Sequence, residues 1–173
     1  MINLFKEKKS PKELGRILFV RCVSMTESFI KGMANYQQLC KNAVTDEDIN
    51  GQELLIAHMW AVVDLLQADI RKDKKYYDVV GFMHNTYIDL LKIPQKEADE
   101  EIKYLAARYE EYRGIFRNQP DPDYRKVALS IAQNISKESN IGANVFLHTQ
   151  ITLSLQNLII HLGKSLEKIK VVD

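Results

Sequence analysis

Apolar residues recur every three to four positions along almost the whole chain, which is the spacing of one face of an α-helix. Alternation of apolar and polar residues, the pattern of a half-buried strand, has no run of useful length. N-capping residues, prolines and glycines divide the helical pattern into six segments. The predicted helices cover residues 11–42, 46–72, 73–92, 94–118 and 122–139, and a last helix begins near Gly142 and extends to about Lys170.

The first helix has the clearest start. Ser10 and Glu13 form a capping-box pattern, and Pro11 occupies the first helical position. Connections of two to six residues predict that successive helices pack antiparallel. The sequence therefore predicts an all-α fold, a single antiparallel bundle of five to six helices over residues 1–173, in which residues 1–10 form a basic N-terminal arm. The apolar face of the first helix is predicted to be Leu14, Leu18, Cys22, Met25, Phe29, Met33, Tyr36 and Cys40.

The second helix carries two carboxylates within an apolar run. Glu53 and Asp64 are eleven residues apart and therefore share one side of the helix. We expect this side to be a solvent-exposed strip, because its other members are small or basic: Ala57, Ala61, Ala68 and Arg71. The opposite, core-facing arc is predicted to contain Ile49, Ile56, Met59, Val63, Leu66 and Ile70, widened by Leu55 and Val62.

The last helix differs from the others in its charge. The 25 residues from Ser139 to Gly163 include no Asp, Glu, Lys or Arg. Apolar side chains cover most of its circumference, which indicates a helix enclosed by its neighbours or by a partner chain. The rest of the circumference of the last helix carries polar but uncharged side chains. The main seam, in alternating steps of three and four, is Val145, His148, Thr152, Leu155, Ile159, Leu162, Leu166 and Ile169.

The length of this uncharged segment would suffice to cross a bilayer. Five Asn and Gln side chains and two histidines lie within it, and these would leave many polar groups in hydrocarbon. We therefore expect no membrane span.

Composition narrows the class of protein further. Twenty-four basic residues balance 23 acidic ones, and only 7 Gly and 4 Pro occur, so a globular chain with long elements is expected. The basic clusters at the N-terminus and around residues 71–75 are interrupted by acids, and nucleic-acid binding is not expected.

The two cysteines, Cys22 and Cys40, would lie about 27 Å apart on the predicted first helix, too far for a disulfide within one chain. With no targeting signal visible, a reducing, cytoplasmic location is expected.

Motifs for catalysis or metal binding are missing from the sequence. It has no Glu-x-x-His pair, which a two-metal helical bundle needs to place both ligands on one face. It has no glycine-rich phosphate loop and no Gly-x-Ser-x-Gly turn. We therefore predict no metal and no cofactor, and the sequence identifies no catalytic residue.

Two hypotheses of function remain. The leading one is a non-enzymatic interaction or self-assembly module that forms a homo-oligomer or binds another helical protein through the last helix. A surface depleted in charge that keeps hydrogen-bonding groups is typical of an interface core. The predicted interface residues are Gln150, Leu153, Ser154, Asn157, Ile160 and His161.

The alternative is a small-molecule-binding or enzymatic bundle with a pocket lined by tyrosine and histidine. Six of the eight tyrosines fall between Tyr76 and Tyr112, and aromatic walls with one or two polar groups suit a small-molecule cavity. The predicted pocket residues are Tyr77, His84, Tyr87, Tyr109, Tyr112, His148 and Thr152.

Overall fold

The computed structural model describes residues 7–37, 50–70, 73–117, 124–135 and 145–172. Over these ranges the chain forms six helices that pack against one another, which confirms the predicted all-α bundle. They are α1 (Pro11–Gln37), α2 (Gly51–Ile70), α3 (Lys75–Leu91), α4 (Gln95–Arg117), α5 (Tyr124–Ile135) and α6 (Val145–Leu166). Two three-residue strands, β1 (Glu7–Lys9) and β2 (Ile169–Val171), flank them.

Contacts between α1 and α2 show that these two helices run in opposite directions. Ile30, late in α1, packs at Gly51, the first residue of α2. Thr26, one turn earlier, contacts His58, two turns further along α2. The same reversal holds between α3 and α4, where Tyr87 bonds to Glu101 and the earlier His84 bonds to the later Tyr109.

Helix α2 lies at the centre of the bundle. Every side chain from Glu53 to Val63 is buried, and α2 packs against each of the other five helices. The solvent-exposed strip predicted for α2 is therefore wrong: Glu53 is 3% exposed and Ala57 and Ala61 are fully buried. Asp64 is half-buried, and the side chain of Ala68 and all of Arg71 lie outside the described residues. The strip is buried because α4 and α5 cover that side, placing Arg108 on Glu53 and Tyr124 on Trp60.

Local capping sets the starts of α1 and α2. The predicted capping box of α1 is present: Ser10 donates to Glu13 Oε2 from both its N–H and its hydroxyl, at 2.8 Å each. Helix α2 begins at Gly51, five residues after its predicted start, because Asn50 Oδ1 accepts the N–H groups of Gln52 and Glu53. Residues 46–49, which the prediction includes in this helix, lie outside the described residues.

The two strands form a small sheet, which the helical periodicity of the sequence does not predict. β1 and β2 pair in parallel, with Glu7 opposite Ile169 and Lys9 opposite Val171. This ladder attaches the residues before α1 to those after α6, and Val171 joins the edge of the core. Residues 1–6 of the predicted basic arm lie outside the described residues.

Gly15 sets the distance between α1 and α3. A Cβ at this position would lie 2.7 Å from the carbonyl oxygen of Val79, 2.8 Å from Cβ of Phe82 and 3.0 Å from the nitrogen of Met83. Two of these three atoms are backbone and none is the end of a flexible side chain. The two helices therefore approach this closely only because residue 15 has no side chain.

We expect Gly15→Ala to lower the free energy of unfolding by about 1–3 kcal/mol, because the new methyl group must push the α3 backbone away. The matched control is Gly32→Ala in the same helix. A Cβ at Gly32 would meet no atom within 4 Å, so alanine should raise stability by up to about 1 kcal/mol through its higher helix propensity. Urea denaturation of both variants measures the difference, and equal stabilisation by both would contradict the close contact at Gly15.

Candidate functional site

Two of the predicted pocket residues lie in contact. His84 Nε2 is 3.2 Å from the hydroxyl of Tyr109, and the two ring centroids are 5.6 Å apart. Burial lowers the pKa of His84 to about 4, so the ring is neutral near pH 7. This pair joins α3 to α4.

The other predicted pocket tyrosines have separate environments. Tyr87 is buried and donates its hydroxyl to Glu101 Oε1 at 2.6 Å. Tyr112 is buried against Trp60 and accepts a long hydrogen bond of 3.4 Å from Asn134. Tyr77 is 60% exposed.

His148 and Thr152 are both on α6, where the Thr152 hydroxyl donates to the carbonyl of His148 at 2.8 Å. Helix α6 packs chiefly against α1, α2 and α5, whereas His84 and the pocket tyrosines are on α3 and α4. The structure thus joins His84 with Tyr109 and places the remaining pocket residues elsewhere.

The predicted interface residues lie mostly on the outward side of α6. Leu153 is 46% exposed and Ile160 is 51% exposed, and Asn157 and His161 are also exposed. Gln150 is half-buried. Only the sixth, Ser154, is buried. The buried side of α6 is mainly apolar, with Thr152 and Ser154 as buried polar residues; its apolar members are Leu147, Ile151, Leu155, Leu158 and Leu162.

The outward side contains a regular line of residues, which we call the outer seam. It consists of Gln150, Leu153, Asn157, Ile160 and Lys164, spaced by alternating steps of three and four. This spacing keeps side chains on one line along a helix that packs against another helix. The outer seam contains no carboxylate, and its single charge is at its C-terminal end.

A groove follows the outer seam where α6 meets α1. One part, of about 300 Å³, is lined by Met25, Phe29 and Met33 of α1 and by Leu153 and Asn157 of α6, among others. A second part, of about 340 Å³, continues toward the C-terminal end of α6 and is lined by Arg21, His161 and Ser165, among others. The α1–α6 surface is therefore a groove of mixed apolar and polar lining that runs beside the outer seam.

A buried histidine, which the sequence analysis did not single out, fixes the position of α6. His58 of α2 is fully buried, with Nδ1 2.8 Å from Thr26 Oγ1 and Nε2 2.8 Å from Ser154 Oγ. Burial lowers the pKa of His58 to about 4. A serine on an imidazole resembles a nucleophile and its base, but a base of such low pKa is weak at pH 7. The other ring nitrogen faces a hydroxyl rather than the carboxylate that would stabilise an imidazolium, so the geometry supports a positioning role.

A partly buried ion cluster connects α2, α4 and α5. Arg108 donates to Glu53 Oε1 at 3.1 Å and to Glu111 Oε2 at 2.8 Å. Glu111 Oε1 in turn accepts hydrogen bonds from Ser130 and Asn134. The second carboxylate oxygen of Glu53 is buried and has no hydrogen-bond partner among the described residues.

The pKa values of the two carboxyl groups in this cluster shift in opposite directions. Burial raises the pKa of Glu53, and the Arg108 guanidinium offsets only part of that rise. Burial also opposes ionisation of Glu111, but hydrogen bonds from Ser130, Asn134 and Arg108 together outweigh it and lower the pKa of Glu111. Within the described residues, no three His, Cys, Asp or Glu side chains are grouped closely enough to hold a metal ion.

Comparison of the chain with known protein families, with curated proteins and with solved structures finds no match. None of the described helices combines the length and the apolar content needed to cross a bilayer.

We expect Arg108→Met to lower the free energy of unfolding by about 3–5 kcal/mol at neutral pH, because Glu53 is left charged, buried and unpaired. This loss of unfolding free energy should be smaller at lower pH. A carboxyl whose pKa is raised in the folded state takes up its proton there first, so stability increases as pH falls through that raised pKa. Chemical denaturation at pH 8 and pH 5 measures this. The exposed Lys103→Met on the same helix is the control, and an unchanged stability of Arg108→Met at pH 8 would contradict the cluster.

Two histidines should make the wild-type protein lose stability as pH falls from about 6.5 toward 4, against the opposite contribution of Glu53. The imidazoles of His58 and His84 have folded-state pKa values of about 4, so the unfolded chain binds these protons first. His84→Phe keeps a ring at this position and should flatten the dependence, whereas the exposed His161→Gln should preserve it. Unfolding free energies across this pH range test the expectation, and an equal slope in both variants would contradict it.

Proposed function

We propose that this protein is a non-enzymatic interaction module that forms a homodimer through the outer seam of α6. The observation that carries the proposal is the seam itself. Two large apolar side chains, Leu153 and Ile160, are about half exposed on either side of Asn157, on a helix whose opposite face is already buried.

The spacing of these residues suits pairing of two copies around a two-fold axis. Leu153 and Ile160 are seven residues apart, or about 10 Å along the helix. In an antiparallel pair with its axis near Asn157, Leu153 of one copy meets Ile160 of the other, and the reverse contact forms by symmetry. The Asn157 amides then lie near the axis, where a single polar residue in an apolar seam can fix the register of pairing.

The charge of the outer seam favours a second copy as the occupant. A charged face repels its own copy and selects a partner of opposite charge. The seam has no carboxylate, and Lys164 lies two turns from the axis, so like charges do not meet at its centre. Its uncharged amides, Gln150 and Asn157, both donate and accept hydrogen bonds and can therefore pair with themselves.

The surface beside the outer seam adds to the area that a dimer could bury. A stable dimer of standard size buries about 800 Å² on each partner, more than one line of side chains provides. The α1–α6 groove adds Met25 and Phe29, and Ile17 lines its continuation toward the end of α6. Methionine and aliphatic side chains adapt readily to an apolar partner surface.

The test is the mass of the protein in solution. Wild-type protein should be dimeric at micromolar concentration by size-exclusion chromatography with light scattering. Leu153→Glu and Ile160→Glu should each weaken dimerisation at least roughly thirtyfold, because symmetry places two unpaired carboxylates in the interface, at a cost of about 2 kcal/mol or more.

Leu90→Glu is the matched control, since Leu90 is 54% exposed on α3, away from the outer seam. It should leave the dimer intact. All three substitutions are at exposed positions, and circular dichroism checks that the helical fold is kept. A monomeric wild type at high micromolar concentration, or a dimer that both seam variants leave unchanged, would overturn the proposal.

A further inference from the structure

A cleft of about 540 Å³ lies between α1, α3 and α4, away from the outer seam. Its volume falls within the range of small-molecule sites. Lys12 and Arg16 of α1 line it, together with Asp89 of α3 and Asp99 of α4. Two cations and two anions therefore face one space.

The fold produces this cleft through two local features. Gly15, between Lys12 and Arg16, allows α1 to contact the α3 backbone and so places both cations beside α3. After α3, Lys92 adopts a left-handed conformation with φ 54°, and Pro94 follows as the chain turns into α4. Ala98 of α4, only 4% exposed, lines the cleft on this side.

The four charged side chains do not neutralise one another. Among the residues that the structure describes, neither Lys12 nor Arg16 lies within 4 Å of a carboxylate, and neither Asp89 nor Asp99 lies within 4 Å of a cation. Opposite charges that line one cleft without pairing leave a positive and a negative region in it. A ligand that carries both charges satisfies both regions, whereas an ion of one sign satisfies one and is repelled by the other.

We infer that this cleft binds a small zwitterion, an α-amino acid or dipeptide whose carboxylate contacts Lys12 and Arg16 and whose ammonium contacts Asp89 and Asp99. Arginine presents paired N–H donors that match the geometry of a carboxylate. An ammonium has three donors and suits two carboxylates. The apolar part of the lining, Phe82, Ile88 and Ile102, indicates that the ligand has an apolar side chain.

The experiment uses the full chain and four probes: phenylalanine, the dipeptide leucyl-phenylalanine, N-acetyl-phenylalanine and phenylalaninamide. The third probe lacks the ammonium and the fourth lacks the carboxylate. Titrations followed by amide chemical shifts should give saturable binding of phenylalanine or the dipeptide at millimolar concentration or below. The two probes with one charge removed should bind at least roughly threefold more weakly, because each loses the contacts of one charged end with two exposed side chains.

Variants assign the two ends of the ligand. Arg16→Met should weaken binding of phenylalanine and N-acetyl-phenylalanine by a similar factor and leave phenylalaninamide unchanged. Asp99→Asn should weaken phenylalanine and phenylalaninamide and leave N-acetyl-phenylalanine unchanged. Lys103→Met, an exposed change on α4 outside the cleft lining, is the control and should bind all four probes as the wild type does.

The inference is overturned if neither phenylalanine nor the dipeptide shifts resonances of the cleft residues at millimolar concentration. It is also overturned if binding occurs but the two singly charged probes bind as well as phenylalanine. All of these variants are at exposed positions, so loss of binding with an unchanged amide spectrum elsewhere reports on the cleft and not on unfolding.

Discussion

Enclosure of α2 is the constraint on which the rest of the structure depends. From Glu53 to Val63 this helix is buried on every side, so the polar side chains of that stretch need partners from neighbouring helices. His58 finds hydroxyls on α1 and α6, and Glu53 finds Arg108 on α4. These bonds are directional, whereas apolar contacts tolerate sliding of one helix past another. The polar groups of α2 therefore define the register of its neighbours, and replacing one of them affects a helix far away in the sequence.

This arrangement also explains why α6 presents an unpartnered face. Apolar packing and the His58–Ser154 bond hold its inward side against the core, so Leu153 and Ile160 must point outward. The sequence pattern alone indicates that α6 is apolar around most of its circumference, which suits either a central helix or a helix at an interface. The structure excludes the central position for α6, because α2 takes it and α6 keeps one side at the surface.

Local patterns predicted the fold well and failed where distant residues decide the outcome. The start of α1 and its apolar face follow from a capping box and from periodicity within one helix, and both are present as far as Met33. The side chain of Tyr36 and all of Cys40 lie outside the described residues. The sequence pattern predicts that the side of α2 carrying Glu53 faces solvent, because three alanines lie on that side. Alanine is equally common on an exposed helix face and in a close helix–helix contact, and the deciding residue, Arg108, lies 55 positions away. The α1–α3–α4 cleft escaped prediction for the same reason, since Lys12 and Asp99 are ordinary surface charges until Gly15 brings α1 onto α3.

Helix α1 contributes to both proposed surfaces, with Arg16 in the cleft and Met25 in the groove beside α6. A ligand in the cleft would influence the groove only by displacing α1 as a whole. The backbone contact at Gly15 resists such displacement, because movement of α1 toward α3 meets the α3 backbone and movement away opens a void in a packed core. Coupling between two sites requires an element with two alternative positions. A glycine contact on one side of α1 and the Thr26–His58 bond on another oppose a second position of this helix, so we expect the two proposed surfaces to be energetically independent.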